Sequence, residues 1–279
     1  MRNILTIDVE EWYHGNDFDL PLQRQATLPS LVERQTDELI ELLGRRGARA
    51  TFFILGCVAE AHPDLVRRIH AAGHEVASHS YNHDLVYKLS PVQFESQLRR
   101  CAAILRSITG EPIQSFRAPS WSIVESSLWA LDVIRRCGLT CDASIFPMRT
   151  GMFGISNARL DIHQVAPPDA HGPALMEYPP AALRLWGMTL PYAGGIFFRL
   201  LPYEVSRRAL KSLNARGRPG VVYLHPWELD PDQPRLADLP FRQTWYHYYG
   251  LGSAKAKYSR LLADFQFGSI RDHRKLAAA

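Results

Sequence analysis

Long hydrophobic runs are missing from this chain of 279 residues. No stretch approaches the ~20 apolar residues that a membrane-crossing helix needs. The opening apolar run Ile4–Ile7 is too short for the core of a signal peptide and passes directly into acids. Cysteine is also scarce. Cys57, Cys101, Cys137 and Cys141 form no CxxC pair and stand in apolar surroundings, which argues against a thiolate metal centre or a dithiol redox motif. They read as buried free thiols of a reducing compartment. With no leader in view, the expected location is the cytoplasm, with membrane association through a partner or a lipid-linked substrate left open. Charge of one sign is in short supply too: 32 basic against 28 acidic residues leave a dispersed +4. That balance argues against a nucleic-acid partner. The pairs Arg45-Arg46, Arg67-Arg68, Arg99-Arg100 and Arg207-Arg208 read as solvated helix faces. No internal repeat is present, and the only low-complexity tract is the short alanine end.

What remains is an ordinary globular composition, 46% hydrophobic and 22% charged, at a length one α/β barrel can absorb. Short β-like runs alternate with amphipathic segments. Ile4–Val9, Ala50–Leu55, Glu75–Ser78, Ser115–Arg117, Thr140–Ala143 and Gly220–Leu224 read as strands. Pro29–Arg46, Pro63–Ala72, Pro91–Ile108, Glu125–Cys137 and Ala254–Asp264 read as helices, four of them closed by a nearby glycine. Such alternation implies parallel βα units and an α/β layered or barrel fold. Between about 150 and 202 the pattern turns irregular, with Pro167-Pro168, Pro179-Pro180 and Gly194-Gly195 marking loops and short extra strands. After Pro231 the chain is rich in Phe, Tyr and Trp, and such a tail should pack on the body. Residues 1–279 are therefore expected to form one domain, with a core over about 1–230 and an extension over about 231–279.

Polar clusters follow the β runs: Asp8-Val9-Glu10, His79, Arg117, Asp142 and His225. Barrel enzymes gather their chemistry at the carboxyl ends of strands, so five clusters in register form a constellation. His79 and His83 are spaced by four, which on a helical turn would bring two imidazoles to one side, an arrangement suited to a divalent metal. Alternate strand residues share a face, so Asp8 and Glu10 point together while Val9 and Glu11 point away. Two acids on one face repel unless a cation lies between them or one is protonated. One can then ligate a metal while the other takes a proton from water. Arg117 can hold a catalytic carboxylate through its two-pronged guanidinium. Asp142 can orient a histidine. His225, ending a β run, suits a general acid. Trp12, Tyr13, Trp121 and Trp227 place aromatic rings close to these strand ends.

These ordered motifs resemble the polysaccharide deacetylase superfamily, the NodB-homology fold of carbohydrate esterase family 4, over Leu5–Trp227. The resemblance implies a distorted (β/α)7 barrel with a C-terminal aromatic-rich extension. Gly194–Tyr203, His225–Pro231, Tyr249–Gly252 and Asp264–Gly268 further resemble the extension of exopolysaccharide deacetylases from gene clusters linked to exosortases. The resemblance implies that Asp8 is the general base, that His79 and His83 bind Zn2+ (or Co2+, Ni2+ or Fe2+), and that His225 is the general acid. Arg117 would orient Asp8, and Asp142 would hold His225. The Ser120 backbone N–H would contribute to an oxyanion hole, Trp121 would line the groove, and Tyr223 and Trp227 would contact substrate. The usual first motif has adjacent aspartates. Here Glu10 is the expected third ligand on strand period, with Glu11 the alternative. The implied reaction is metal-dependent de-N-acetylation of hexosamine residues in an exopolysaccharide or its lipid-linked precursor. Two rivals stay open: deformylation or deacylation of a lipid- or nucleotide-linked sugar, and a non-catalytic carbohydrate-binding relic.

Overall fold

The first strand, β1 (Arg2–Val9), sorts the fold by alternation. Leu5, Ile7 and Val9 join Leu39, Leu42 and Leu43 of the helix Val32–Arg45 and Leu65, Val66 and Ile69 of the helix Pro63–Ala71 in one apolar layer. Ile4 turns the other way, into a second cluster with Phe53, Ala77, Cys141, Ala143, Val221 and Ile270. The period of two thus divides each strand between an outer helix layer and a barrel interior. A computed structural model describes residues 1–15, 18, 20–165 and 175–278. The expected loop marker Pro167-Pro168 and the terminal Ala279 lie outside the described residues.

The remaining strands are β2 (Thr51–Ile54), β3 (Glu75–Ser78), β4 (Ser115–Phe116), β5 (Cys141–Asp142), β6 (His163–Val165), β7 (Leu175–Glu177), β8 (Ala182–Leu185), β9 (Met188–Pro191), β10 (Val221–Leu224) and β11 (Gln266–Gly268). Seven run parallel in the order β10-β1-β2-β3-β4-β5-β7, and β6 adds antiparallel to β7. This is the expected α/β fold, a curled sheet whose seventh parallel strand, β7, hides in the irregular stretch. No ladder joins β7 to β10 among the described residues. Instead Ala181, just past β7, donates its N–H to Val221 O at 2.9 Å, and Tyr223 N–H reaches Ala193 O at 2.9 Å. The ring therefore closes through isolated hydrogen bonds, which is the distortion. β8 and β9 form a separate hairpin.

The extension is more than a cover. β11 pairs with β1 at Arg2–Ile4, ahead of the register where β2 takes over at Thr6. Ala254, Tyr258, Leu261 and Leu262 of the helix Leu251–Asp264 enter the outer apolar layer, and Ile270 of the last helix enters the barrel interior. Its aromatics divide: Tyr248, Tyr258 and Phe267 are buried, whereas Phe241, Trp245 and Tyr249 are exposed. All four cysteines are free thiols as expected, but only Cys101 and Cys141 are buried; Cys57 and Cys137 are partly exposed. Among the described residues no helix is long and apolar enough to cross a membrane.

Candidate active site and metal centre

The ends of β1, β3, β4 and β10 bring side chains to one small cavity of about 80 Å³. A larger cavity of about 1060 Å³, against the last helix, is lined by Asp161, His163, Tyr178 and Arg218 and includes none of the clustered acids and imidazoles. From β1 come Asp8 and Glu10, both buried. Arg117, immediately after β4, crosses the barrel interior. It donates to Asp8 Oδ1 at 2.7 Å, to Thr6 Oγ1 at 2.9 Å and to Ala143 O at 3.1 Å. Its guanidinium carbon lies 4.4 Å from the ring centres of both Phe53 and Trp121, so the cation is flanked by aromatic rings as well as paired.

His79 follows β3. Its Nδ1 lies 2.9 Å from Arg117 O. A carbonyl can only accept, so Nδ1 carries the proton and Nε2 keeps its lone pair for a cation. His83 reaches the same spot by a route the spacing alone did not give: residues 79–85 form an irregular loop, not a helical turn. Ser80 has a left-handed backbone with φ of 69°. The start of the helix Gly56–Ala61 pins this loop through Gly56 N–H to Ser80 O at 2.9 Å and Cys57 N–H to Tyr81 O at 3.0 Å. Gly56 is required there because a Cβ would lie 2.5 Å from the Tyr81 ring.

Glu10 Oε2 lies 2.7 Å from His83 Nε2 and 3.9 Å from His79 Nε2. Ligating atoms of the three residues all fall within 4.8 Å of one another. Neighbouring ligands around a tetrahedral ion with bonds of about 2.1 Å stand roughly 3.4 Å apart, so this trio fits a divalent ion such as zinc. Glu10 Oε2 is fully buried and faces both imidazoles, a carboxylate–imidazole donor set that suits such an ion. Burial would raise the Glu10 carboxyl, but His83, His225 and His79 overcome it and pull the pKa far below its usual value. Burial lowers His79 to about 4. The alternative ligand, Glu11, is turned away. It accepts from Ser30 Oγ and from Leu31 N–H at 3.0 Å, at the head of the helix Val32–Arg45, where a carboxylate is favoured.

His225, after β10, faces both acids. Its Nε2 lies 3.7 Å from Asp8 Oδ2 and 3.8 Å from Glu10 Oε1. Burial opposes its charge, yet Glu10, Glu228 and Asp8 outweigh that and lift its pKa to about 9. The expected partner of His225, Asp142, is not there. Cys141 and Ala143 face the barrel interior, so period two sends Asp142 to the opposite face of β5. There it accepts from Ser144 Oγ at 2.5 Å and sits beside Glu177, its register partner on β7. The carboxylate at His225 is Glu228, three residues on, with Oε2 at 3.4 Å from Nδ1 and 3.1 Å from the backbone N. Burial would raise Glu228, but Arg199 and His225 hold it below its usual value. Sequence reading missed both Glu228 and Arg199, although the i,i+3 spacing of His225 and Glu228 was a visible signal.

The expected substrate-contacting residues Ser120, Trp121, Tyr223 and Trp227 all line the cavity. Ser120 and Trp121 both adopt left-handed backbone (φ 48° and 55°), which turns this segment sharply after Ala118. Trp121 packs edge-on against Tyr223 at 5.0 Å. Tyr223 is held from behind by Gly194 and Gly195; a Cβ on Gly194 would lie 2.4 Å from the Tyr223 ring. Trp227 is not placed to stack on a sugar. Its ring stacks on His225 and His247, with centres 5.0 and 4.3 Å apart, and its indole N–H donates to Glu10 Oε1 at 3.2 Å. Trp12 is likewise withdrawn, fully buried with its N–H on Pro29 O at 3.1 Å. Tyr13 packs edge-on between Trp12 and His14. His14 is a further residue that sequence reading passed over. Burial, with His83 and His79 nearby, lowers its pKa to about 4.

A curled parallel sheet brings two imidazoles, a neighbouring carboxylate and an Arg-bound aspartate together at its strand ends, a donor set that could hold a divalent ion beside a base. Comparison with known proteins then gives the family. Residues 27–141 match the polysaccharide deacetylase family model, and residues 143–275 match a domain of unknown function, DUF3473. The chain is 28% identical over 119 residues to a peptidoglycan-N-acetylglucosamine deacetylase of Bacillus cereus, covering 38% of this chain and 43% of the relative. It is 35% identical over 108 residues to a chitin deacetylase of Colletotrichum lindemuthianum, covering 34% and 44%. The matches thus span less than half the length of these relatives. A Mycobacterium smegmatis crystal structure of polysaccharide deacetylase type aligns over 98% of this chain and 88% of its own, with a TM-score of 0.62 at 18% identity, which shows a shared fold. Residues 27–141 thus carry a polysaccharide deacetylase domain of the NodB-homology, carbohydrate esterase family 4 type, and the region that follows is of the DUF3473 type. The matched regions cut across the site. His79, His83, Arg117, Ser120 and Trp121 lie in the first, Tyr223, His225, Trp227 and Glu228 in the second, and Asp8 and Glu10 precede both.

Proposed function

We propose that the protein is a metal-dependent de-N-acetylase of N-acetylated hexosamine residues, acting on an exopolysaccharide or its lipid-linked precursor. The observation that carries this reading is the placement of His225 Nε2 3.7 Å from the Arg117-bound Asp8, beside the Glu10, His79 and His83 trio. Base, acid and ligands converge on one cavity, whose volume of about 80 Å³ suits a few waters or a small acyl group. We further propose that residues 1–279 act as one functional domain, since strands from both matched regions share the sheet.

An ion held by Glu10, His79 and His83, zinc by the donor set, would supply Lewis acidity toward the acetamide carbonyl and ease ionisation of the attacking water. Asp8 takes the proton of that water. Arg117 fixes Asp8 in orientation. The Ser120 backbone N–H, at the strained turn, is the donor for the developing oxyanion. His225, with Nε2 turned to the cavity and Glu228 at Nδ1, delivers a proton to the departing sugar amine. Products are acetate and a free amine on the sugar.

The test is direct. Zinc-loaded protein incubated with N-acetylated oligosaccharides, or with a lipid-linked form, should release acetate in step with new amines. Asp8→Asn and His79→Ala should each abolish it. Equal acetate release by either variant would remove the proposed site. Tight saccharide binding without acetate would favour the binding relic, and formate from a formylated sugar would favour the deformylase.

A further inference from the structure

Arg199, on the helix Gly195–Leu200, is buried beneath the site with few solvated surroundings and an unusual set of partners. Its Nε lies 2.8 Å from Glu228 Oε1, and both side chains are almost wholly enclosed, at 1% and 0% exposure. Its Nη1 donates to His247 O at 2.6 Å and to Tyr249 O at 2.7 Å, and its Nη2 to Tyr246 O at 3.3 Å. These three carbonyls belong to the end of the helix Phe241–Tyr248 in the extension. Glu228 turns its other oxygen to the backbone N and Nδ1 of His225. One cation therefore grips the extension with one edge and, through a carboxylate, the histidine with the other.

We propose that Arg199 and Glu228 are a positioning pair through which the C-terminal extension sets the orientation of His225, in place of the Asp142 that the sequence suggested. The proposal rests on the reading of His225 as the proton donor. With Glu228 at Nδ1, the ring presents Nε2 to the cavity, where Asp8 and Glu10 lie. The backbone contact to the same carboxylate oxygen limits how far the ring can swing. A second link runs alongside: His247 stacks on Trp227, whose indole holds Glu10. The extension thereby reaches, through these links, both the histidine and a proposed metal ligand. Packing alone does not explain two enclosed charges, because an apolar pair of equal volume is commonly as stable or more so.

The experiment compares wild type, Glu228→Gln and the double variant Arg199→Met with Glu228→Gln, all zinc-loaded and assayed for acetate release and bound metal. Glu228→Gln keeps the volume, and the double variant removes both enclosed charges. The expected result is a kcat at least about tenfold lower in both, with KM within about twofold of wild type and metal content unchanged. A double variant that melts like wild type and recovers its kcat would overturn the proposal, since the pair would then be structural only. A second readout needs no turnover. In protein carrying 15N-labelled histidine, the His225 Nδ1 resonance should move on Glu228→Gln, and an unmoved resonance overturns the pair. Wild type that releases no acetate while this resonance moves would sink the deacetylase reading and leave the positioning pair standing.

Discussion

Replacing Arg117 by Met should destabilise the protein by about 3–5 kcal/mol, because it strands a buried carboxylate. Arg117 and Asp8 are 1% and 3% exposed and 2.7 Å apart. Methionine fills much of the space of the arginine stem, so the cavity left behind is a minor part of the loss. What disappears is the donor to Asp8, together with those to Thr6 Oγ1 and Ala143 O. For a chain of this size each kcal/mol moves the melting temperature by about 2 °C, so the drop should be about 6–10 °C. Urea unfolding of metal-free protein at neutral pH measures the free energy without a contribution from bound ion. The decisive comparison adds Asp8→Asn. With the aspartate neutral, the penalty of an unpaired charge is gone, and the double variant should regain a substantial part of the loss while staying inactive. A loss under about 1 kcal/mol for Arg117→Met alone would refute the reasoning, because it would mean that Asp8 is not held as a buried anion by this pair.

Two further outcomes follow from other parts of the site. Zinc at about a hundredfold over its dissociation constant should stabilise metal-free wild type by about 2.7 kcal/mol. Glu10→Gln, His79→Ala and His83→Ala should lose that gain, whereas Glu11→Gln should keep it; calorimetric scans with and without zinc decide, and an undiminished gain in His83→Ala would exclude the trio. The Asp142–Glu177 pair gives a pH effect. Burial, with Asp142 alongside, raises Glu177 well above its ordinary 4.5. The folded protein thus retains a proton that the unfolded chain releases, so the contribution is full below 4.5 and fades as pH rises through the folded value. Glu177→Gln, which mimics the protonated form, should lose less melting temperature than wild type between about pH 5 and about pH 8. Parallel pH profiles would show that no such proton is held.

Six of the clustered side chains were legible because each ends a visible apolar run: Asp8, Glu10, His79, Arg117, Tyr223 and His225 all sit at or just past a strand. The parity of β1 also separated Glu10 from Glu11, which the structure turns toward the helix at Leu31. The same rule applied to β5 would have sent Asp142 outward, but a two-residue strand gives too little pattern to fix its phase. β7 was hidden for the same reason, being three residues long beside a proline-rich stretch. His83 was placed correctly by spacing through an incorrect picture, since backbone hydrogen bonds from the helix Gly56–Ala61 shape its loop. Arg199 could not be found from sequence at all. Apart from Glu228, its partners are backbone carbonyls nearly fifty residues away, and carbonyls carry no residue signature.

The pairing of β1 with both β10 and β11 has a consequence for the order in which the molecule assembles. Asp8 and Glu10 meet His225 and Trp227 only across a separation of 217 residues, so loop closure of that length must be completed before any reactive constellation exists. The early βα units can condense locally around their own apolar layer, while the last parallel pairings are the slow, non-local ones. A nascent or partly refolded chain would then already possess Asp8, Glu10, Arg117 and the two histidines, yet lack the acid, His225. Recovery of activity during refolding should consequently trail the recovery of helical signal, with the sheet's final seam as the step that switches the site on.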